Sequence, residues 1–152
     1  MDKSPQIKTI LDTLIYNYTF ISDYYKAKCK TNLTNNLLDL ICSEVAKISV
    51  LSLLSILDYR KDTYRADDIR VDYSMYSKKT QDRFKKFFDK YKHVRDKNIA
   101  HVTNNDVQVD FFLSDFLAII SDIHEADVII SDGGFTPFFE HFLLSCKDVN
   151  KY

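Results

Sequence analysis

The chain has two glycines, two prolines and no tryptophan in 152 residues. Average usage of glycine and proline is roughly 7% and 5%, so turn-formers are scarce. Tight hairpins need glycine, asparagine or proline at defined positions. A chain this poor in them cannot make many, and helices are favoured. Cysteines number three, Cys29, Cys42 and Cys146, with no Cys-x-x-Cys pair. That excludes the usual zinc spacings and gives no disulfide framework, so each is read as a small hydrophobe. Met1-Asp2-Lys3-Ser4-Pro5 has no secretory apolar region, and no apolar run reaches the roughly 18 residues that a bilayer span requires. The expectation is a cytoplasmic protein with no membrane segment.

Hydrophobic residues make up 45% and charged residues 28%, the profile of a globular protein, and the length suits one domain over 1–152. Ten tyrosines and eleven phenylalanines supply much of the apolar volume. The net charge of −1 hides an uneven distribution. From Lys78 to Lys97 nine basic residues meet three acids; from Asp106 to Tyr152 nine acids meet Lys147 and Lys151. The two stretches are either two solvated helix faces or the poles of a molecule with one positive end.

Ser4-Pro5 combines a capping hydroxyl with a proline at the first helical position. From there Ile7, Ile10, Leu11, Leu14, Tyr18, Ile21 and Tyr25 keep the spacing of one helical face. Thr31 or Asn32 is expected to cap a second helix running to about Asp58. On it Leu37, Leu40, Ile41, Val45, Ile48 and Leu51 face inward, and Leu53, Leu54, Ile56 and Leu57 broaden the stripe. Ser49, Ser52 and Ser55 recur every three residues, a pattern that lets a neighbouring helix approach closely. Tyr59 to Tyr73 lacks a period and reads as a loop with room for a short helical piece. A third helix is expected from Ser77 to Lys92, with Phe84, Phe87, Phe88 and Tyr91 inside. A fourth, capped by Asn105 or Asp106, places Phe112, Phe116, Ile119, Ile120, Ile123 and Ala126 on one face. Gly133-Gly134 ends it, and Thr136-Pro137 opens a fifth helix through Phe139, Phe142, Leu143 and Cys146. Short connections between four or five helices imply an all-α, antiparallel bundle.

No Gly-rich phosphate loop, His-Glu-x-x-His or Gly-x-Ser-x-Gly occurs, and no ligand cluster suggests a metal or another cofactor. His124, beside Glu125, and His141, beside Glu140, read as surface or boundary residues. The remaining histidines flank His93-Val-Arg95-Asp96-Lys97-Asn98-Ile99-Ala100-His101. In a regular helix the six steps from Arg95 to His101 leave the side chains about 120° apart. They share one site only if the helix breaks or a second subunit completes it. A twofold dimer would bring two histidines and two arginines around one cleft. Such a set suits RNA cleavage without metal. Histidine can take the proton of a 2′-hydroxyl, and arginine can grip the scissile phosphate through two N–H groups. The bland alternative is a capping or hydrogen-bonded His101, with Arg95 paired to an acid such as Asp96 or Asp89.

The string Arg95-Asp96-Lys97-x-Ile99-Ala100-His101 resembles the signature of HEPN domains, in particular their abortive-infection branch. The pattern is an arginine, a polar residue, a few variable positions and a histidine. A long second helix ending in Leu57-Asp58, followed by a polar loop, is also similar to that branch. The specific motif spans seven residues. The resemblance implies a HEPN-like bundle that dimerises through the Arg95–His101 face and cuts RNA without metal. It further implies a role as a toxin or antiviral effector, commonly paired with a separate nucleotidyltransferase-type antitoxin. His101 would then be the general acid/base, Arg95 the phosphate clamp, and Asp96 an orienting group. Lys97, Asn98, His93, Lys92, Lys90 and Lys86, with Lys85, would guide the RNA backbone, a contact that weakens with salt. Tyr91 could stack on a base, although a core role suits it better. The alternative within the same fold is a catalytically inactive module for dimerisation or binding.

Overall fold

A computed structural model describes residues 4–60, 69–100, 113–124 and 135–146, with side chains from Pro5, up to Arg95 on the third helix and from Ser114 on the fourth. The described residues form five α-helices and no strand: α1 Ser4–Thr31, α2 Asn36–Leu57, α3 Lys78–Ala100, α4 Leu113–His124 and α5 Phe135–Ser145. The scarcity of glycine and proline gives what the sequence led one to expect, an all-helical architecture. The proposed Asn105 or Asp106 cap, Phe112, Ala126 and Gly133-Gly134 lie outside the described residues.

The first corner differs from expectation. Thr31 is the last residue of α1, its Oγ1 donating to the Ala27 carbonyl at 2.9 Å. Asn32 has φ of 54°, the left-handed geometry that ends helices and that asparagine tolerates better than most residues. The cap of α2 is Asn35 instead, whose side chain accepts from the Leu38 amide at 3.0 Å. Several capping residues lie within five positions here, and the left-handed turn decides among them. Tyr24 then locks the corner: its buried hydroxyl donates to Asp39 Oδ1 at 2.6 Å, and Lys28 reaches the same oxygen at 3.1 Å. Burial, reinforced by the bond to Asp39, pushes the Tyr24 phenol well above its ordinary pKa.

Two apolar clusters follow. The larger joins Leu11 and Leu14 of α1, the C-terminal half of α2, Phe84, Phe87, Phe88, Tyr91 and Val94 of α3, and Phe116, Ile119, Ile120 and Ile123 of α4. The smaller joins Ile21, Tyr24 and Ala27 of α1, Cys42 and Ala46 of α2, and Phe139 and Leu143 of α5. Fully burying one such aromatic or aliphatic side chain stabilises by about 1.5–3 kcal/mol before entropy is counted, so the aromatic-rich α3 face dominates the larger cluster. The bundle is not uniformly antiparallel. Residue pairs Asn17–Ser49 and Tyr24–Asp39 show α1 and α2 opposed, and Arg83–Asp122 and Lys90–Asp115 show the same for α3 and α4. But Tyr16–Phe135 and Phe20–Phe139 set α5 parallel to α1. Periodicity does not fix the direction of a helix far along the chain.

The inward face of α2 is the one expected at Leu53, Leu54, Ile56 and Leu57, but not along the first part of the helix. Cys42, Ala46, Ser49, Val50, Leu53, Leu54, Ile56 and Leu57 are buried, whereas Leu37, Leu40, Ile41 and Ile48 are exposed. With apolar residues all round, the helix offered two stripes, and packing against α1 and α3 selected the one bearing small residues. Of the serine series Ser49 is buried and accepts from Asn17 of α1 at 3.0 Å. By length and composition α2 could also cross a membrane, because its apolar run tolerates the few charges that interrupt it; here one of its faces forms the core of the bundle.

Candidate functional site at the junction of two helix ends

The C-terminal end of α2 positions the candidate site. Its last carbonyls need partners. The Ile56 carbonyl accepts from the Val71 amide at 2.9 Å, the Leu57 carbonyl from the Tyr73 hydroxyl, and the Asp58 carbonyl from Arg70 Nη1 at 3.1 Å. Val71 and a 3-10 turn, Tyr73–Met75, thus pack over the helix end. The cations suit the negative pole of the helix.

Asp58 caps α2 and is only 5% exposed. A carboxylate at the negative end of a helix is unfavourable alone, and two guanidinium groups surround this one. Arg60 donates Nε to Oδ1 and Nη2 to Oδ2, both at 3.2 Å, and its backbone amide donates to Oδ1 at 3.0 Å. Arg95 on α3 donates Nη1 to Oδ2 at 2.9 Å. Arg95 is half-buried, its side chain 29% exposed. Aromatic rings flank Arg60. Arg60 lies over the Phe88 ring at 5.0 Å, and the Tyr59 ring meets Phe88 edge-on at 5.4 Å. The Tyr59 hydroxyl donates to Asp89 at 2.8 Å, and Lys85 sits 5.6 Å from the Tyr59 ring. That bond to Asp89 is the main reason the Tyr59 phenol is raised above its ordinary pKa.

The bland expectation paired Arg95 with Asp96 or Asp89; its observed partner is Asp58, and Asp89 is engaged by Tyr59. The third helix does not stop at Lys92: its backbone continues to Ala100. Most of the motif is therefore helical. Asp96, Lys97 and Asn98 are placed by their backbone alone, and His101 lies outside the described residues.

The expected RNA-guiding residues divide between helix faces. Lys92 is exposed about 60° around α3 from Arg95, whereas Lys90 and Lys86 lie about 140° and 180° away. Lys90 is bound to Asp115 of α4 at 2.6 Å. His93 is exposed, with Nδ1 3.1 Å from the Lys90 carbonyl. Tyr91 is buried and donates to Asp115 at 3.0 Å, a core role rather than a stacking platform. His124 and His141 take the boundary and surface positions expected of them. Among the described residues no group of His, Cys, Asp and Glu could hold a metal ion.

Sequence reasoning missed Asp58 and Arg60 as parts of this site. The available signal was electrostatic: an aspartate closing an apolar helix, at the end where the macrodipole disfavours it, with an arginine two residues on. Comparison with family models, with curated proteins and with solved structures finds no match to this chain.

Proposed function

We propose that this chain is a metal-independent endoribonuclease with a HEPN-like fold, acting as a homodimer in a toxin–antitoxin or antiphage defence system. The observation that supports it most is Arg95: the first residue of the Arg-x-x-x-x-x-His string is oriented by a buried carboxylate while remaining part-exposed. A guanidinium has five N–H donors. Fixing one on Asp58 reduces the rotamer freedom that phosphate binding would otherwise have to remove.

In the reaction, His101 takes the proton from a ribose 2′-hydroxyl, and that oxygen attacks the adjacent phosphorus. Arg95 stabilises the charge developing on the non-bridging oxygens. The P–O5′ bond breaks, and a protonated histidine, supplied by the second subunit, gives its proton to the leaving oxygen. The products are a 2′,3′-cyclic phosphate and a 5′-hydroxyl. Asp96 orients Arg95 or His101. Asn98 and Lys92, each about 60° around α3 from Arg95, line the approach, and His93, Lys97, Lys90 and Lys86 contribute a more distant field. The setting is the cytoplasm, the inhibitory partner a nucleotidyltransferase-type antitoxin.

The reading is tested by giving the protein an RNA oligonucleotide and its 2′-O-methyl counterpart. The unmodified strand is cut and yields cyclic phosphate ends; cutting of the methylated strand would overturn the mechanism, because no 2′-proton is available there.

A second reading is a catalytically inactive module of the same fold that scaffolds a partner. The observation favouring it is the same Arg95–Asp58 pair, which gives Arg95 a structural task. Such a module binds without cleaving either strand.

A further inference from the structure

The outer face of α2 is a second apolar seam. Leu37, Ile41, Glu44, Ile48, Leu51 and Ser55 follow one another at steps of four, three, four, three and four residues, with Leu40 alongside. This is the spacing of a helix–helix interface, with Ile41 and Ile48 alternating with Leu37, Glu44 and Leu51. It lies opposite the buried line Cys42, Ala46, Val50 and Leu53. Leu37 and Ile48 are 63% and 57% exposed, while Leu51 is partly buried. From Leu37 to Leu51 the seam is about 21 Å long. Because the opposite face of α2 is packed on α1 and α3, the seam is held rigid, and little ordering is needed to use it.

The charges on the seam identify its occupant. Glu44, its side chain 55% exposed, stands at the middle, and Lys47, its side chain 15% exposed, flanks the seam with its ammonium 3.3 Å from Glu44. An ion pair at the centre of an apolar stripe opposes insertion into lipid. It suits a twofold interface, which must be complementary to itself. With two α2 helices antiparallel about an axis level with Ala46, Ile41 meets Leu51 of the other copy. Each Glu44 then falls beside the other copy's Lys47.

From this we infer that the outer face of α2 pairs with the same face of a second copy of this chain. The interface is separate from the Arg95–His101 face and does not depend on the nuclease reading.

Sedimentation of the full chain tests it. Ile48→Lys halves the mass of the wild-type species and leaves the circular dichroism unchanged. If the Arg95–His101 face also pairs, four copies become two; if not, two become one. Equal masses for wild type and Ile48→Lys would overturn the inference. A charge test removes dependence on one variant. Glu44→Lys and Lys47→Glu each weaken association, one presenting two cations and the other two anions. Mixed in equal amounts they recover the wild-type mass. A mixture no heavier than its components would overturn the twofold pairing, as would binding of the wild type, but not of Ile48→Lys, to zwitterionic lipid vesicles.

Discussion

Arg95 Nη1 lies 2.9 Å from Asp58 Oδ2, joining the end of α3 to the end of α2 across 37 positions of sequence. The pair makes the local order of two helix ends depend on one carboxylate, which Arg60 shares. Asp58→Ala removes the acceptor from both arginines and the bond to the Arg60 amide. Breaking a buried ion pair commonly costs about 3–5 kcal/mol, but both arginines are near enough to water to rehydrate. The expected loss is about 2 kcal/mol, or about 4–8 °C in Tm. Asp58→Asn, which keeps an acceptor for the amide, loses less. If the nuclease reading holds, Asp58→Asn also lowers cleavage by about tenfold at unchanged fold, through a less fixed Arg95. Thermal denaturation and cleavage rates on the same preparations check both.

Asn35 closes the start of α2 through the Leu38 amide. Asn35→Ala is expected to destabilise by about 1 kcal/mol, and Asn35→Ser to be nearly neutral, because serine caps as well. Urea midpoints of the two variants separate these outcomes. Equal losses would show that the Tyr24 hydroxyl, not the cap, holds this corner.

Cys29 is exposed and Cys42 buried. Burial, aided by the charge of Asp39, pushes the Cys42 thiol up to about 12, so almost no thiolate is present near neutrality. A thiol reagent at pH 8 is expected to label Cys29 quickly and Cys42 only at the rate of unfolding. Rapid labelling of Cys42 in folded protein would contradict the packing of α1, α2 and α5.

Asp115 is held below its ordinary carboxylate pKa, first by its bond to Lys90 and then by Tyr91, against the opposing effect of burial. A lowered pKa in the folded state means stability gained above the unfolded value and lost as pH falls through the folded one. The stability difference between wild type and Asp115→Asn should therefore be constant above about pH 5 and shrink below about pH 4. Chemical denaturation at several pH values and low salt reads it out.

Much of this fold is legible in the sequence, for identifiable reasons. Phe84, Phe87, Phe88 and Tyr91 recur on one face between charged neighbours, and all four are buried. Phe116, Ile119, Ile120 and Ile123 behave alike on α4. Where contrast is absent the reading fails. The helix α2 is apolar on both sides, so periodicity alone could not tell Leu37 and Ile48 from Ala46 and Val50. Thr31, Asn32 and Asn35 are all capable caps, and only backbone geometry separates them. The candidate site was half legible. Arg95 stands out by its string, whereas Asp58 and Arg60 reach it through a tertiary contact that no local spacing encodes.

The most direct measurement is cleavage of cellular RNA in EDTA by the wild type, His101→Ala and Arg95→Ala. Arg60 stays on Asp58 when Arg95 is removed, so all three proteins should fold, and circular dichroism verifies it. The account predicts cleavage by the wild type and loss of about a hundredfold or more in both variants. Equal cleavage by all three, or none by any, would contradict it.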